Sequence, residues 1–455
     1  MQFGGQRTDS NLEPIGEPDN VYIKITPDVL PDPGAALVTG ITPQKTLSDG
    51  LSEADFTAYF QDKIFKPSTI FVGYNNIRFD DEFVRHLLYR NFYDAYEWQW
   101  QDGCSRWDLL DVARMTRALR PEGIKWPFNS EGKPSNQLGL LSSINTLDHQ
   151  NAHDALSDVQ ATIALARLIR TKQPKLFNYL LEMRDKKQIA ELVKTSQPFI
   201  YTSGKYSSDF EKTTAVIAVV DHPTRAGAIV YDLRYDPTPF SRLSASQLAA
   251  AWYRRDPEEG IILPVKSLQY NRCPAVAPLS VMDKSSQTRL KIDLKIIKDN
   301  AIKLAKLKDF PARLLEAQKM LDKKQKQLFA DERDIDNQLY DNFISGPDKQ
   351  VMRLVRTSRP DGLSDLKDKF KDTRLKAMLP LYKARNYPTY LTQPERQDWE
   401  EYCFNKLASG EAKSRLSSYF EYIDQLQKQP RLGKEQKYLF EELQLYGESI
   451  LPTPV

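Results

Sequence analysis

Short alternating stretches, Gln2 to Asp9 and Val21 to Thr26, flank a segment containing the turn formers Asn11, Pro14, Gly16, Pro18 and Asn20. This pattern predicts two paired strands. After the Pro/Gly-rich segment Pro31 to Gly34 and a short helix, the run Ile70-Phe71-Val72-Gly73-Tyr74 is apolar in the way of a strand buried on both faces. It leads into Asp80-Asp81-Glu82, whose charges suit the positive end of a helix predicted to run to about Phe92. Trp107 to Leu110 predicts another short buried segment. From Asn151, an N-cap residue, a helix is predicted with Ala155, Val159, Ile163 and Ala166 at three-to-four spacing. Strand, loop and helix in this order are an α/β signature.

The pattern then changes. Helical spacing continues through Thr171 to Asp185, and the runs Thr214 to Val220, Ala228 to Leu233 and Ile261 to Ser267 predict a second, mostly β domain starting near residue 190. Lys291 to Phe329 reads as a lysine-rich amphipathic helix with apolar Ile296, Ile297, Leu304, Leu307, Leu314 and Leu315. Beyond about residue 335 the spacing of Leu339, Tyr340, Phe343, Leu354, Leu379, Tyr382, Tyr419 and Tyr422 predicts a helical third region. The division is therefore 1–172, an α/β domain; 173–330, a β domain with linker helices; and 331–455, a helical domain.

A chain of 455 residues with 40% hydrophobic and 11% aromatic content is that of a folded protein, not a disordered one. No apolar run approaches the roughly 18 residues needed to span a bilayer, and the first residues lack the apolar stretch of a signal peptide. A cytoplasmic protein with no membrane association is expected. Cys104, Cys273 and Cys403 lie far apart and form no CxxC pair, which supports neither a disulfide framework nor a cysteine-rich zinc site. With 64 Lys plus Arg against 61 Asp plus Glu, the net charge of +3 does not mark a nucleic-acid binder, so such a role must come from local patches.

The sharpest candidate chemistry lies in His153-Asp154-Ala155-Leu156-Ser157-Asp158, taken with Asn75-Asn76-Ile77-Arg78-Phe79-Asp80 at the strand-to-helix junction. Each supplies a carboxylate near a helix start. Metal-assisted phosphodiester cleavage needs several such carboxylates to hold two divalent ions about 4 Å apart. It also needs a base, and the imidazole of His153 titrates in the right range. Acidic residues at helix starts are more often caps and dipole partners, and for either motif alone that bland reading outweighs the catalytic one.

The segments Gly40-Ile41-Thr42-Pro43, Gly73 to Glu82, Ser105-Arg106-Trp107-Asp108-Leu109-Leu110-Asp111, Leu119 to Gly123 and Asn151 to Ala155 closely resemble bacterial exodeoxyribonuclease I, of the DEDDh exonuclease superfamily. The resemblance continues through Lys266 to Pro274, Asn337 to Tyr340 and Tyr382 to Pro388, nearly the whole chain. It implies a ribonuclease H-like exonuclease domain, an SH3-like domain and a helical domain around the DNA. The implied activity is monomeric, Mg2+-dependent removal of mononucleotides from the 3′ end of single-stranded DNA, in repair and recombination. Asp80 and Asp158 would be metal ligands, His153 the general base, and Gly40, Ile41 and Thr42 the loop against the 3′-terminal nucleotide. Lys205-Tyr206, Lys266, Tyr270 and Arg272 offer the mixture of cations and aromatic faces that holds a single strand, against an equally weighted reading as solvated lysines and core tyrosines. The lysines from Lys291 to Lys308 could follow the DNA backbone, although an ordinary solvated helix face is slightly favoured. Arg120 and Tyr179 match the family's docking site for the acidic C-terminal tail of single-stranded DNA-binding protein.

One departure from the family pattern stands out. Its first motif, an Asp-x-Glu on the first strand, lies upstream of the segment matching Gln2-Phe3, so two of four metal-binding acids are absent from this sequence. Glu17-x-Asp19, beside Pro18, reads as a solvated turn rather than a substitute. The resemblance puts that first strand between the strands at Gln2 and Ile70, and the expectation is a truncated record with about 30 further residues upstream, one strand and its turn. The alternative is a non-catalytic single-stranded DNA-binding or adaptor protein.

Overall fold

The computed structural model describes residues 1–147, 154–254, 256, 260–328, 334–410, 414–428 and 432–450. In the α/β domain, β1 (Gln2–Gly5) pairs antiparallel with β2 (Asp19–Tyr22), with Phe3 opposite Val21. Helices α1 (Pro33–Thr39), α2 (Pro43–Asp49) and α3 (Glu53–Tyr59) follow. Then β3 (Ile70–Gly73) leads to α4 (Asp80–Arg90), and β4 (Ser105–Asp108) to α5 (Leu109–Leu119). β3 and β4 run parallel, Val72 opposite Trp107. Helices α6 (Leu138–Ile144) and α7 (Ala155–Lys172) complete the domain.

Among the described residues β1 pairs only with β2 and β3 only with β4, so no ladder joins the two pairs. Other contacts hold them together. Arg7 donates to Thr69 Oγ1 at 3.2 Å and to the Ile64 carbonyl at 3.1 Å. Beneath both pairs, Phe3, Phe56, Phe60, Phe71 and Trp98 form one aromatic cluster. Bonded on one side only, β3 is not buried on both faces as its apolar run suggests, and Val72 is 43% exposed.

Helices α8 (Pro174–Glu182) and α9 (Lys186–Lys194) lead into a five-stranded antiparallel sheet. Its strands are β5 (Phe199–Thr202), β6 (Thr213–Asp221), β7 (Gly227–Asp232), β8 (Val265–Gln269) and β9 (Ala275–Pro278), in the order β8-β7-β6-β5-β9. Helix α10 (Ala245–Trp252) lies between β7 and β8. One sheet face joins the core of α5, α7 and α8 through Ile200, Ala215, Ile229 and Ala277. The other packs on Ile189 and Val193 of α9.

The lysine-rich segment is not one helix. After α11 (Lys284–Leu290) it forms α12 (Leu294–Lys306) and α13 (Phe310–Leu328), separated where Phe310 turns into the core against Tyr231. Ile297 is buried, while Ile296 faces solvent. The last region contains α14 (Gly346–Thr357), α15 (Thr373–Asn386), α16 (Gln393–Leu407), α17 (Arg415–Gln427) and α18 (Lys434–Ser449). It packs back on the first domain through α1 and α2 against α17 and α18. Among the described residues no helix is long and apolar enough to cross a membrane.

Candidate nuclease site

Asp80 opens α4 and Asp158 lies in the first turn of α7. What brings these distant residues together begins with β1. Gly4 runs so close to the start of α7 that a Cβ there would sit 2.6 Å from the Ala155 carbonyl carbon. Beside it, Gln2 donates to Asp154 Oδ2 at 2.7 Å and accepts from the Ala155 N–H at 3.3 Å. Asp154 caps the helix, accepting from the Leu156 and Ser157 N–H groups at 3.1 and 3.2 Å. The cap is therefore Asp154 and not Asn151, which lies outside the described residues. An aspartate with two amides in reach satisfies orphan donors of the first turn.

The loop before Asp80 is fixed from β4 and α5. Asn75 adopts the left-handed conformation (φ 69°), one that asparagine tolerates, and its N–H donates to Asp108 Oδ1 at 2.8 Å. Tyr74 donates its hydroxyl to the Asn136 carbonyl at 2.5 Å, and Arg78 pairs with Asp111 at 3.5 Å. Partial desolvation raises the pKa of Asp80 above the ordinary carboxylate value. Its helix-start N–H opposes the rise, and the charges of Asp81 and Asp158 add to it. Buried Asp108 is pushed up to about 6, by burial first and Asp111 second, against hydrogen bonds from Leu110 and Asn75.

Two carboxylates close enough to repel, both hard oxygen donors, fit a divalent cation. Among the described residues no group of three or more His, Cys, Asp or Glu side chains is placed to hold one. His153 lies outside the described residues. Glu17-x-Asp19 does not complete the set: Asp19 starts β2 and accepts the Tyr59 hydroxyl, and this bond pushes the phenol pKa up to about 12.

Near Arg78 of the Asp80 loop and Glu82 of α4 the β domain presents the exposed cations Lys205 and Arg272. Desolvation and then the charges of Arg78, Arg272 and Arg225 lower the pKa of Lys205. Burial, followed by Lys205, lowers that of Lys266, which lies over the Tyr206 ring at 5.6 Å. Mutual repulsion among cations marks a place where an anion would be welcome. Tyr270 is not part of it: its ring is buried in the core with Val193 and Phe199, which removes it as a stacking face. Phe79 and Phe83, which flank Asp80, are 57% and 48% exposed and touch at 4.9 Å between ring centres. An aromatic pair at i and i+4 is the usual sign of a helix core, so the spacing of this pair does not single it out.

The remaining predicted residues lie elsewhere. Gly40 ends α1 in the left-handed conformation (φ 68°) with open space around it, and Thr42 caps α2, accepting from the Lys45 N–H at 3.1 Å. Ile41, between them, is half-buried. Arg120 follows α5, donates to the Val281 carbonyl at 2.8 Å and pairs with Asp283 at 3.3 Å. Tyr179 on α8 packs between the two cores beside the sheet, and burial pushes its pKa up to about 12.

An acidic pair at two helix starts, with Arg78 of the same loop close to the β domain's Lys205, has the makings of an exonuclease. The Exonuclease family model matches residues 1–166, the Exonuclease I SH3-like domain 184–328 and the Exonuclease I C-terminal domain 333–450. Exodeoxyribonuclease I of Haemophilus influenzae is 39% identical over 458 residues, covering 99% of this chain and 94% of its own. An Exonuclease I from Methylocaldum szegediense superposes with a TM-score of 0.92 at 40% identity, covering 99% of this chain and 95% of its own. Escherichia coli Exonuclease I, solved in complex with a dA16 oligonucleotide, gives 0.91 at 37% identity and the same coverages. That enzyme has also been solved as a zinc-bound complex with single-stranded DNA, and an SSB/Exonuclease I structure is known. The chain belongs to the exodeoxyribonuclease I family, with an exonuclease domain, an SH3-like domain and a C-terminal helical domain in that order.

Proposed function

We propose that this chain is a Mg2+-dependent 3′ to 5′ exonuclease that degrades single-stranded DNA to mononucleotides in repair and recombination, as a cytoplasmic monomer. The observation that carries the proposal is the crowd of exposed cations, Arg78, Lys205, Arg225 and Arg272, which reaches the loop of Asp80 through Arg78, two residues before it. A single strand needs a basic track for its phosphates and aromatic faces for its bases, each face worth roughly 1 to 3 kcal/mol. Phe79 and Phe83 offer such faces next to the acids.

Asp80 and Asp158 would hold the metal, which when bound neutralises charge on the scissile phosphate and lowers the pKa of a water. The other residues do the positioning. Asp108 and Asp111 fix the Asn75 to Arg78 loop that delivers Asp80. Gln2 and Gly4 fix the first turn that delivers Asp158. His153 is the proposed base, and Gly40 to Thr42 the proposed contact for the last nucleotide. Arg120 and Tyr179 are proposed to take the acidic tail of single-stranded DNA-binding protein, a reading supported by the known SSB/Exonuclease I structure.

That no group of three or more metal-binding side chains gathers among the described residues favours a second reading, a single-strand binder without turnover. A 5′-labelled oligothymidylate incubated with the 455-residue chain separates the two. Mg2+-dependent shortening from the 3′ end, abolished by EDTA, supports the exonuclease. A gel shift with no shortening supports the binder.

A further inference from the structure

Arg106 sits on β4, 8% exposed, and takes no part in the site described above. Its guanidinium points two ways. Nη1 pairs with the carboxylate of Asp81, the neighbour of Asp80 at the start of α4. Nη2 donates to the carbonyl of Asn271 at 2.7 Å, in the SH3-like domain. Its own carbonyl receives the Cys273 thiol at 3.1 Å. One residue thus fastens both neighbours of Arg272, and Arg272 is an exposed cation whose surroundings include Glu82 of α4.

The loop needs such fastening. Cys273 stands at φ 44°, in the left-handed region that a non-glycine residue occupies only when its surroundings hold it there. The turn Tyr270 to Arg272 would relax without its anchors, and Arg272 would leave its place beside α4. An arginine suits this task because its planar fork serves two acceptors at once, whereas a lysine ammonium cannot span them with the same rigidity.

We propose that Arg106 is a positioning residue that fixes the cation of Arg272 in register with the acidic pair. It thereby couples the SH3-like domain's grip on the strand to the nuclease site. The inference rests on the strand-binding reading above.

The test is a double-mutant cycle on binding of a fluorescein-labelled oligothymidylate, followed by anisotropy in EDTA over a series of salt concentrations. Removing both charges of the buried pair, with Arg106→Gln and Asp81→Asn together, avoids leaving either one unpaired. Affinity should fall roughly tenfold, the scale of one lost charge-assisted contact. The slope of log K against log salt should become shallower by about one phosphate contact. Arg272→Ala should do the same, and adding it to the paired variant should change nothing further. Amide exchange at residues 270–273 should rise in the paired variant while the melting temperature holds. If the paired variant does not fold, Arg106→Lys keeps a charge beside Asp81, loses the span to Asn271 and is expected to give the same pattern. Fully additive losses, or unchanged exchange at 270–273, overturn the coupling alone. A wild-type chain that does not bind the oligonucleotide overturns the strand-binding reading, and the coupling with it.

Discussion

Asp28 and Asp80 belong to the same domain, and their surroundings push them in opposite directions. Asp28 is fully buried where the exonuclease and helical domains meet. Arg385 and Lys406 reach it at 2.6 and 2.8 Å, and Thr26 donates to it at 2.8 Å. Arg385 also holds Asp336 at 2.7 Å, and Arg90 spans Glu53 and Asp336 at 3.0 and 3.6 Å. Burial alone would raise the pKa of Asp28, but Arg385, Lys406 and Arg90 outweigh it and hold the carboxyl well below the ordinary range. Asp80 is open to solvent, yet its pKa is raised, by desolvation and by other acids. Burial does not explain the opposite directions, since on its own it would raise both. One carboxylate is matched by cations from its own chain, and the other is crowded by carboxylates, as suits a group awaiting a cation from outside.

Substitution should separate them most sharply. On the exonuclease reading, Asp158→Ala should slow single-turnover cleavage roughly a thousandfold, since metal-bound charge supplies several kcal/mol to the transition state. Retained turnover would refute the metal role. Asp28→Ala should do the reverse, costing about 3 kcal/mol in urea denaturation, because the buried cations Arg385 and Lys406 lose one carboxylate and are left to share Asp336 and Asp334. Replacing Arg385 with Met in the same chain should recover part of that loss.

Acid gives a smaller, signed version of the same contrast. Asp28 has a depressed pKa, so its stabilisation is present at neutral pH and is lost as pH falls below the ordinary carboxylate value toward its folded pKa. Asp108 titrates near 6 in the folded chain, above its unfolded value, so the folded state binds the extra proton. Its contribution is present at low pH and lost as pH rises through about 6. Asp108→Asn should therefore flatten the stability profile between about pH 4 and 6, measured by urea midpoints. An unchanged profile would remove Asp108 from the account.

The two regions also differ in how far the sequence discloses them. Asp80 and Asp158 are legible as acids at helix starts, since local charge and the helix dipole suffice to notice them. Their approach is not legible, because it depends on Gly4 running against Ala155, a contact between distant segments. The Asp28 cluster leaves no local trace at all: its main partner, Arg385, lies 357 residues away. Tyr270 shows the opposite failure. Beside Lys266 and Arg272 it reads as a DNA platform, whereas the sheet turns its ring into the core. β9 escapes notice because Ala275 to Pro278 is too short to display an alternating period. The Exonuclease I motifs fix the family from sequence, and pairing in space fixes which charges are spare.

Arg120 falls between the two extremes and gives the mildest test. It has a carboxylate partner, Asp283, but both side chains are partly exposed, at 34% and 53%. Such a pair contributes roughly 0 to 1 kcal/mol, so Arg120→Ala should barely move the melting temperature. The same exposure leaves the guanidinium able to exchange Asp283 for a carboxylate on a partner, at small net cost in electrostatics. Anisotropy with a labelled acidic, hydrophobic C-terminal peptide should then show a several-fold weaker complex, a loss of about 1 kcal/mol. Asp283→Ala should strengthen binding slightly, because it removes the competitor while leaving Arg120 on the Val281 carbonyl. Unchanged affinity in both variants would make Arg120 a structural residue like Arg385, its charge already spoken for within the chain.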